Sequence, residues 1–163
     1  RPKDSFVNNT ARKTSGACSF MDTFSQVTET IGQNGRRGAL MISIDCTHPE
    51  LLDFIEIKND LDRVTKANIS VRVTDDFMRA VIEDRDWELY YKSEHEETRK
   101  VIKAKEVFRI LCKNNWNMAE PGILYWSRIE DYNLLSEDKE FKYDGVNPCA
   151  EEPLPAGGSC LLG

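Results

Sequence analysis

Three short apolar runs set the terms on which this chain can fold. GALMISID (Gly38–Asp45) and NISVRV (Asn68–Val73) alternate apolar and polar residues, placing Leu40, Ile42 and Ile44, then Ile69, Val71 and Val73, on one side of an extended backbone. GILYW (Gly122–Trp126) reads as a third strand. The sequence between them changes period. Phe20, Phe24, Val27 and Ile31 recur at helical spacing, with Ser19 as cap and Gly32 and Gly35 as terminators. Thr47-His48-Pro49-Glu50 reads as a capping box opening the helix ELLDFIEIK, and Thr74 caps DDFMRAVIED. Trp87, Leu89 and Tyr91 suggest a short extended piece. Residues 96–115 are expected to be helical and to bury Val101, Ala104, Phe108 and Leu111, with EHEETRKVIKAK as a solvated helix face carrying i to i+4 pairs. Strand, helix, strand, helix, helix, strand is an α/β order, with helices packed on a sheet. If that sheet closes into a barrel, these strands make only part of it.

A length of 163 residues suits one domain with a real core. The net charge of −6 provides no basic face for nucleic acid, although local amides can still hold a small anion. No run is apolar for long enough to span a bilayer, and the opening residues do not read as a signal peptide. Five cysteines without CxxC pairs argue against a disulfide scaffold or a zinc knuckle, which points to the reducing cytosol. Arg1 in place of Met, and an end just beyond a chemistry-bearing loop, suggest an internal piece of something larger.

That loop is NPCAEEPLPAGGSC, residues 147–160. In an extended segment, Asn147, Cys149 and Glu151 would face one site, with Ala150 turned away. A carboxylate neighbour raises a thiol pKa, which disfavours hydrolytic cysteine chemistry. The only histidines, His48 and His95, lie far off in sequence. A neutral S–H suits hydrogen-atom transfer instead. Glu151 is then free to act as a base and Asn147 to hold a substrate oxygen.

These residues resemble the finger loop of the ribonucleotide reductase catalytic subunit, whose Asn-x-Cys-x-Glu core is followed eleven residues later by a second cysteine; Cys149 and Cys160 keep that interval. The stretch TSGACSFMDTFSQVTETIGQNGRRGALMISIDCTHPELLDFIEIK is similar to the first half of the reductase barrel. The likeness is greatest to cobalamin-dependent members, which share SG-x-x-SFM, the RRGA turn and HP-x-x-x-x-FI-x-x-K. The resemblance implies that residues 1–163 are about the first half of a ten-stranded α/β barrel. It implies ribonucleotide reduction for DNA precursor synthesis, with Cys149 as the thiyl radical, Glu151 as proton acceptor, Asn147 as substrate ligand and Cys160 as half of a redox dithiol. The other half belongs upstream of Arg1. Adenosylcobalamin is the implied cofactor, ATP or dNTPs the effectors, and a thioredoxin- or glutaredoxin-type protein the reductant, in a homodimer. No metal site within this chain is implied. Ser15 and Gly16 match the position that meets substrate phosphate, and Arg63 and Lys66 lie in the loop Asn59–Asn68, which matches the loop reporting the bound effector.

Other readings remain beside these. A partner-subunit-dependent reductase, a non-catalytic nucleotide-sensing module of the same fold, and a redox protein pairing Cys149 with Cys160 all fit parts of the pattern. A zinc site on these two thiols lacks further ligands. Cys18, Cys46 and Cys112 read as structural thiols, and Arg36 and Arg37 as a solvated turn. His48 reads as a helix-start residue, and Trp116 and Trp126 as core or interface residues.

Overall fold

The computed structural model describes residues 1–32 and 38–161, so Gly35, Arg36 and Arg37 lie outside the described residues. Its centre is a parallel three-stranded sheet in the order β1 (Met41–Asp45), β2 (Asn68–Val73), β5 (Gly122–Tyr125). Met41 pairs with Asn68 and Asp45 with Arg72, while Ser70 pairs with Gly122 and Val73 with Tyr125. All three expected strands are present. Parallel strands need crossovers, and helices supply them.

Helix α1 (Ala17–Ile31) precedes β1, and α2 (Leu51–Glu56) lies between β1 and β2. Next come α3 (Asp75–Ile82), the antiparallel pair β3 (Asp86–Lys92) and β4 (Glu97–Lys103), then α4 (Ala104–Met118). After β5, α5 (Trp126–Asp131) leads to a small hairpin of β6 (Gly145–Val146) and β7 (Pro153–Leu154). The alternation in NISVRV divides β2 by function. Ile69, Val71 and Val73 are fully buried and share a core with Leu51, Phe54 and Ile55 of α2, Phe77 of α3 and Val107 and Leu111 of α4. Asn68 and Arg72 point to the other face.

Thr74 caps α3 as expected, its hydroxyl accepting the Phe77 N–H at 3.2 Å. Three other expectations are corrected. Residues 97–103 form a strand, and Val101 is exposed. The charged run lies opposite β3, where Arg99 donates to Glu88 at 2.7 Å and Lys103 pairs with Asp86 at 2.7 Å. Cross-strand ion pairs therefore replace the i to i+4 pairs. Ser19 sits inside α1 rather than capping it, its hydroxyl donating back to the Gly16 carbonyl. The capping box at 47–50 does not form either: Glu50 is the N-cap of α2 without a side-chain bond, because its carboxylate is engaged elsewhere. Trp126 is core, whereas Trp116 is 89% exposed. Cys18 and Cys46 are buried and Cys112 is exposed.

Candidate functional site

The hairpin carrying Asn147 and Cys149 is assembled from local turn chemistry. Asn-Pro favours a turn: proline fixes φ for the second position, and asparagine suits the first. The Ala150 N–H donates to the Asn147 carbonyl at 3.0 Å, closing the turn, and Ala150 takes φ 68°. The Asn147 N–H then donates to the Glu152 carbonyl at 3.1 Å, continuing the β6–β7 ladder. A turn abolishes the period-two rule, so the expected common face of Asn147, Cys149 and Glu151 is not formed. Asn147 is buried, while Cys149 and Glu151 are exposed.

The structure brings Asn147 and Cys160 together. The Glu152 N–H donates to Asn147 Oδ1 at 3.0 Å, and Asn147 Nδ2 approaches Cys160 Sγ at 3.7 Å. Cys160 is partly exposed, and its thiol pKa is raised, first by the bond to the Glu152 side chain and then by desolvation. Glu152 was not singled out in the sequence. The signal was the doubled glutamate after Cys149, whose second member bonds the Asn147 side chain through its backbone N–H.

The hairpin hangs on the polar face of β2. Asn68 Nδ2 donates to the Pro148 carbonyl at 2.8 Å, and Arg72 Nη1 donates to the Asp144 carbonyl at 3.1 Å. Arg72 also pairs with Asp45 at 2.9 Å and lies over the Trp126 ring at 4.9 Å. Sequence reading missed both anchors, because their partners are main-chain atoms more than 70 residues away.

At the other candidate positions, Gly16 caps α1 with φ 95°, a conformation that favours glycine. A Cβ there would press into the Glu50 carboxylate. Glu50, only 6% exposed, accepts from the N–H groups of Ala17 at 2.8 Å, Lys3 at 3.0 Å and Cys18 at 3.4 Å. Helix α1 has no acidic residue in its own first turn, and Glu50 provides the negative charge from another element. Ser15 is exposed, and its hydroxyl bonds that of Ser19 at 2.5 Å. Ser15, Ser19 and Glu50 border an open cleft of about 730 Å³ with Lys3, Asp53 and Arg63. Burial first, then Glu50, pushes the Cys18 thiol up to about 12, the mark of an inert buried thiol.

Arg63 and Lys66 stitch their loop to α1. Arg63 Nη2 bonds Asp22 at 2.6 Å, and Lys66 Nζ pairs with Glu29 at 3.3 Å. Ser25, on the same helix face, accepts the Lys66 backbone N–H at 2.9 Å. Both cations thus have carboxylate partners here.

His48 lies just before α2, its Nδ1 accepting the Glu50 N–H at 3.1 Å. Burial lowers its pKa, against the pull of Glu50. The unfolded chain therefore takes up a proton that the fold resists, and His48 costs stability as pH falls below about 6.5, the ordinary histidine value. Thermal unfolding should show a midpoint that drops from pH 7.5 to 5.5, with a shallower drop in His48→Asn; identical pH profiles would remove His48 from this account.

Among the described residues no cluster of three or more His, Cys, Asp or Glu is placed to hold a metal ion, and no helix is long and apolar enough to cross a membrane.

Comparison with known proteins gives one consistent result. The family described as "Ribonucleotide reductase, barrel domain" matches residues 1–163. A vitamin B12-dependent ribonucleoside-diphosphate reductase of Thermoplasma acidophilum is 36% identical over 165 residues, covering 100% of this chain and 21% of the relative. One from Mycobacterium tuberculosis (strain CDC 1551 / Oshkosh) is 31% identical over 168 residues, covering 100% and 23%. A vitamin B12-dependent ribonucleotide reductase of Streptomyces avermitilis is 33% identical over 173 residues, covering 91% and 18%. The chain spans about a fifth of the length of these curated relatives.

Proposed function

The chain belongs to the ribonucleotide reductase barrel-domain family, and from that premise we propose that it is the part of a cobalamin-dependent reductase that carries the hydrogen-abstracting cysteine. The observation that carries this reading is the family match over every residue, together with the motif Asn147-Pro148-Cys149-Ala150-Glu151 and Cys160. The likeness to the Thermoplasma acidophilum ribonucleoside-diphosphate reductase favours ribonucleoside diphosphates as substrates.

In the net reaction the ribose 2′-hydroxyl leaves as water and carbon 2′ gains hydrogen. Two thiols, Cys160 and a partner from outside this chain, become a disulfide and supply two electrons and two protons. Cys149 removes the 3′ hydrogen atom and later returns it, so it is unchanged over a cycle. Glu151 takes the 3′-hydroxyl proton, and Asn147 holds a substrate oxygen by hydrogen bonding. Ser15 and Gly16 receive the substrate phosphate beside the start of α1, where Ser15 borders the open cleft. Adenosylcobalamin, when bound, supplies the initiating radical. Cys149 fits that role because it is exposed at the head of a turn, where a bulky cofactor can reach the sulfur. A thioredoxin- or glutaredoxin-type reductant in the cytosol reopens the disulfide. ATP or dNTP effectors act through the loop of Arg63 and Lys66, in a homodimer.

The test is the complete protein incubated with ribonucleoside diphosphates and a dithiol, with and without adenosylcobalamin. Deoxyribonucleotide should form only with the cofactor. Equal turnover without it would overturn the cobalamin assignment, and no product in either case would overturn the reductase reading.

A further inference from the structure

We propose that Asn68 is a positioning residue for Cys149, held still by a Lys58–Glu120 clamp that separates it from the movable middle of the loop Asn59–Asn68. This rests on the reading of Cys149 as the hydrogen-abstracting residue. Asn68 ends that loop and begins β2. Its Nδ2 donates to the Pro148 carbonyl at 2.8 Å. That carbonyl and the Cys149 nitrogen belong to one planar peptide unit, so holding the oxygen holds the plane from which the Cys149 Cα departs. Bonds within the hairpin run from the Asn147 N–H to the Glu152 carbonyl and from the Ala150 N–H to the Asn147 carbonyl. They close the turn from inside, while Asn68 grips its head from β2.

An anchor fixes a turn only if the anchor is itself fixed. Lys58 stands on the 3-10 turn Ile57–Asn59, where the loop begins, and its Nζ donates to the Ala67 carbonyl at 2.5 Å. The same ammonium pairs with one oxygen of Glu120, whose other oxygen accepts the Ile69 N–H at 2.9 Å. The Asn68 N–H itself donates to the Leu40 carbonyl at 2.8 Å. Three consecutive residues are thus tied by their main chains, which leaves the Asn68 amide group to reach the hairpin. The clamp side chains are 16% and 21% exposed, whereas those of the Arg63–Asp22 and Lys66–Glu29 pairs are between 38% and 51% exposed. Ion pairs nearer water are screened and readily exchanged. The middle of the loop can therefore let go of α1 and rearrange, while its clamped end keeps Asn68, and with it the Cys149 peptide, in place.

The test is amide hydrogen exchange of the complete protein, followed by mass spectrometry of the peptide spanning 144–154. Exchange there should rise about three- to tenfold in N68A and in Lys58→Met, the measure of one lost hydrogen bond. Arg63→Ala should leave it at the parent's rate. In turnover, N68A should lower kcat about ten- to a hundredfold with KM within about twofold, and equally for each ribonucleotide. Hairpin exchange in N68A equal to the parent's, or raised as much by Arg63→Ala, would overturn the proposal. A parent-like hairpin in Lys58→Met would remove the clamp, and a loosened hairpin with full kcat would remove the positioning role. If N68A also speeds exchange in α3, showing an opened fold, the comparison passes to N68D, which keeps the shape but cannot donate; parent-like exchange in N68D overturns the proposal equally. Exchange needs no turnover, so a parent that makes no deoxyribonucleotide sinks the reductase reading, whereas an unmoved hairpin sinks only this one.

Discussion

Replacing Cys149 with serine in the complete protein should reduce deoxyribonucleotide formation by roughly ten-thousandfold or more, to assay background. Serine matches cysteine in shape, so the turn closed by Ala150 and Asn147 should persist and nucleotide binding should be nearly unchanged. What is lost is a weak S–H bond in exchange for a strong O–H bond, which cannot donate and recover a hydrogen atom at a useful rate. Cys160→Ser should differ in kind. A single turnover sustained by small thiols should survive, while repeated turnover with a protein reductant should stop. Measured deoxynucleotide yield per active site separates the two. Retained multiple turnover in Cys149→Ser would remove the central residue of the proposed function.

The second large effect concerns stability. Glu50→Ala should destabilise the protein by about 2–4 kcal/mol, because backbone N–H groups at the start of α1 lose their shared acceptor, each at roughly 1–3 kcal/mol when buried without replacement. The Ala17, Cys18 and Lys3 amides all donate to this one carboxylate. Glu50→Gln should cost less, since the amide oxygen still accepts, but its NH₂ end meets donors rather than acceptors. Thermal melts of the two variants, with alkylation of the buried Cys18 as a local probe, should rank Ala below Gln below the parent. A Glu50→Ala protein as stable as the parent would mean that water replaces the carboxylate freely. Gly16 stands directly against this carboxylate, so on the proposed reading nucleotide affinity should fall with it.

The parallel sheet was legible because the signals for β1 and β2 are local: alternating β-branched residues that are buried on one face, whatever surrounds them. The strand at 97–103 was not. ETRKVIK mixes good helix formers (Glu, Arg, Lys) with β-branched Thr98, Val101 and Ile102, and what makes it extended is the opposite strand, through Arg99 to Glu88 and Lys103 to Asp86. Such partners are invisible to a window sliding along one segment. Glu50 misled in the same way: the spacing of a capping box was present, but a different helix claimed the carboxylate. In the loop, residue types were readable and their directions were not. The extended reading passed over the turn that Asn-Pro favours, and that turn sent Asn147 inward to Cys160 and left Cys149 outside. The thiol raised by the two glutamates is that of Cys160, Glu152 first.

The anchors from β2 have an evolutionary corollary. Asn68 and Arg72 grip carbonyl oxygens at positions 148 and 144, and every amino acid offers that same atom. These two contacts therefore place no demand on the side chains at 144 and 148, and Pro148 answers only to the turn it shapes. The two gripping residues have no such latitude, and the tolerance to substitution should be lopsided, permissive at Asp144 and strict at Asn68 and Arg72.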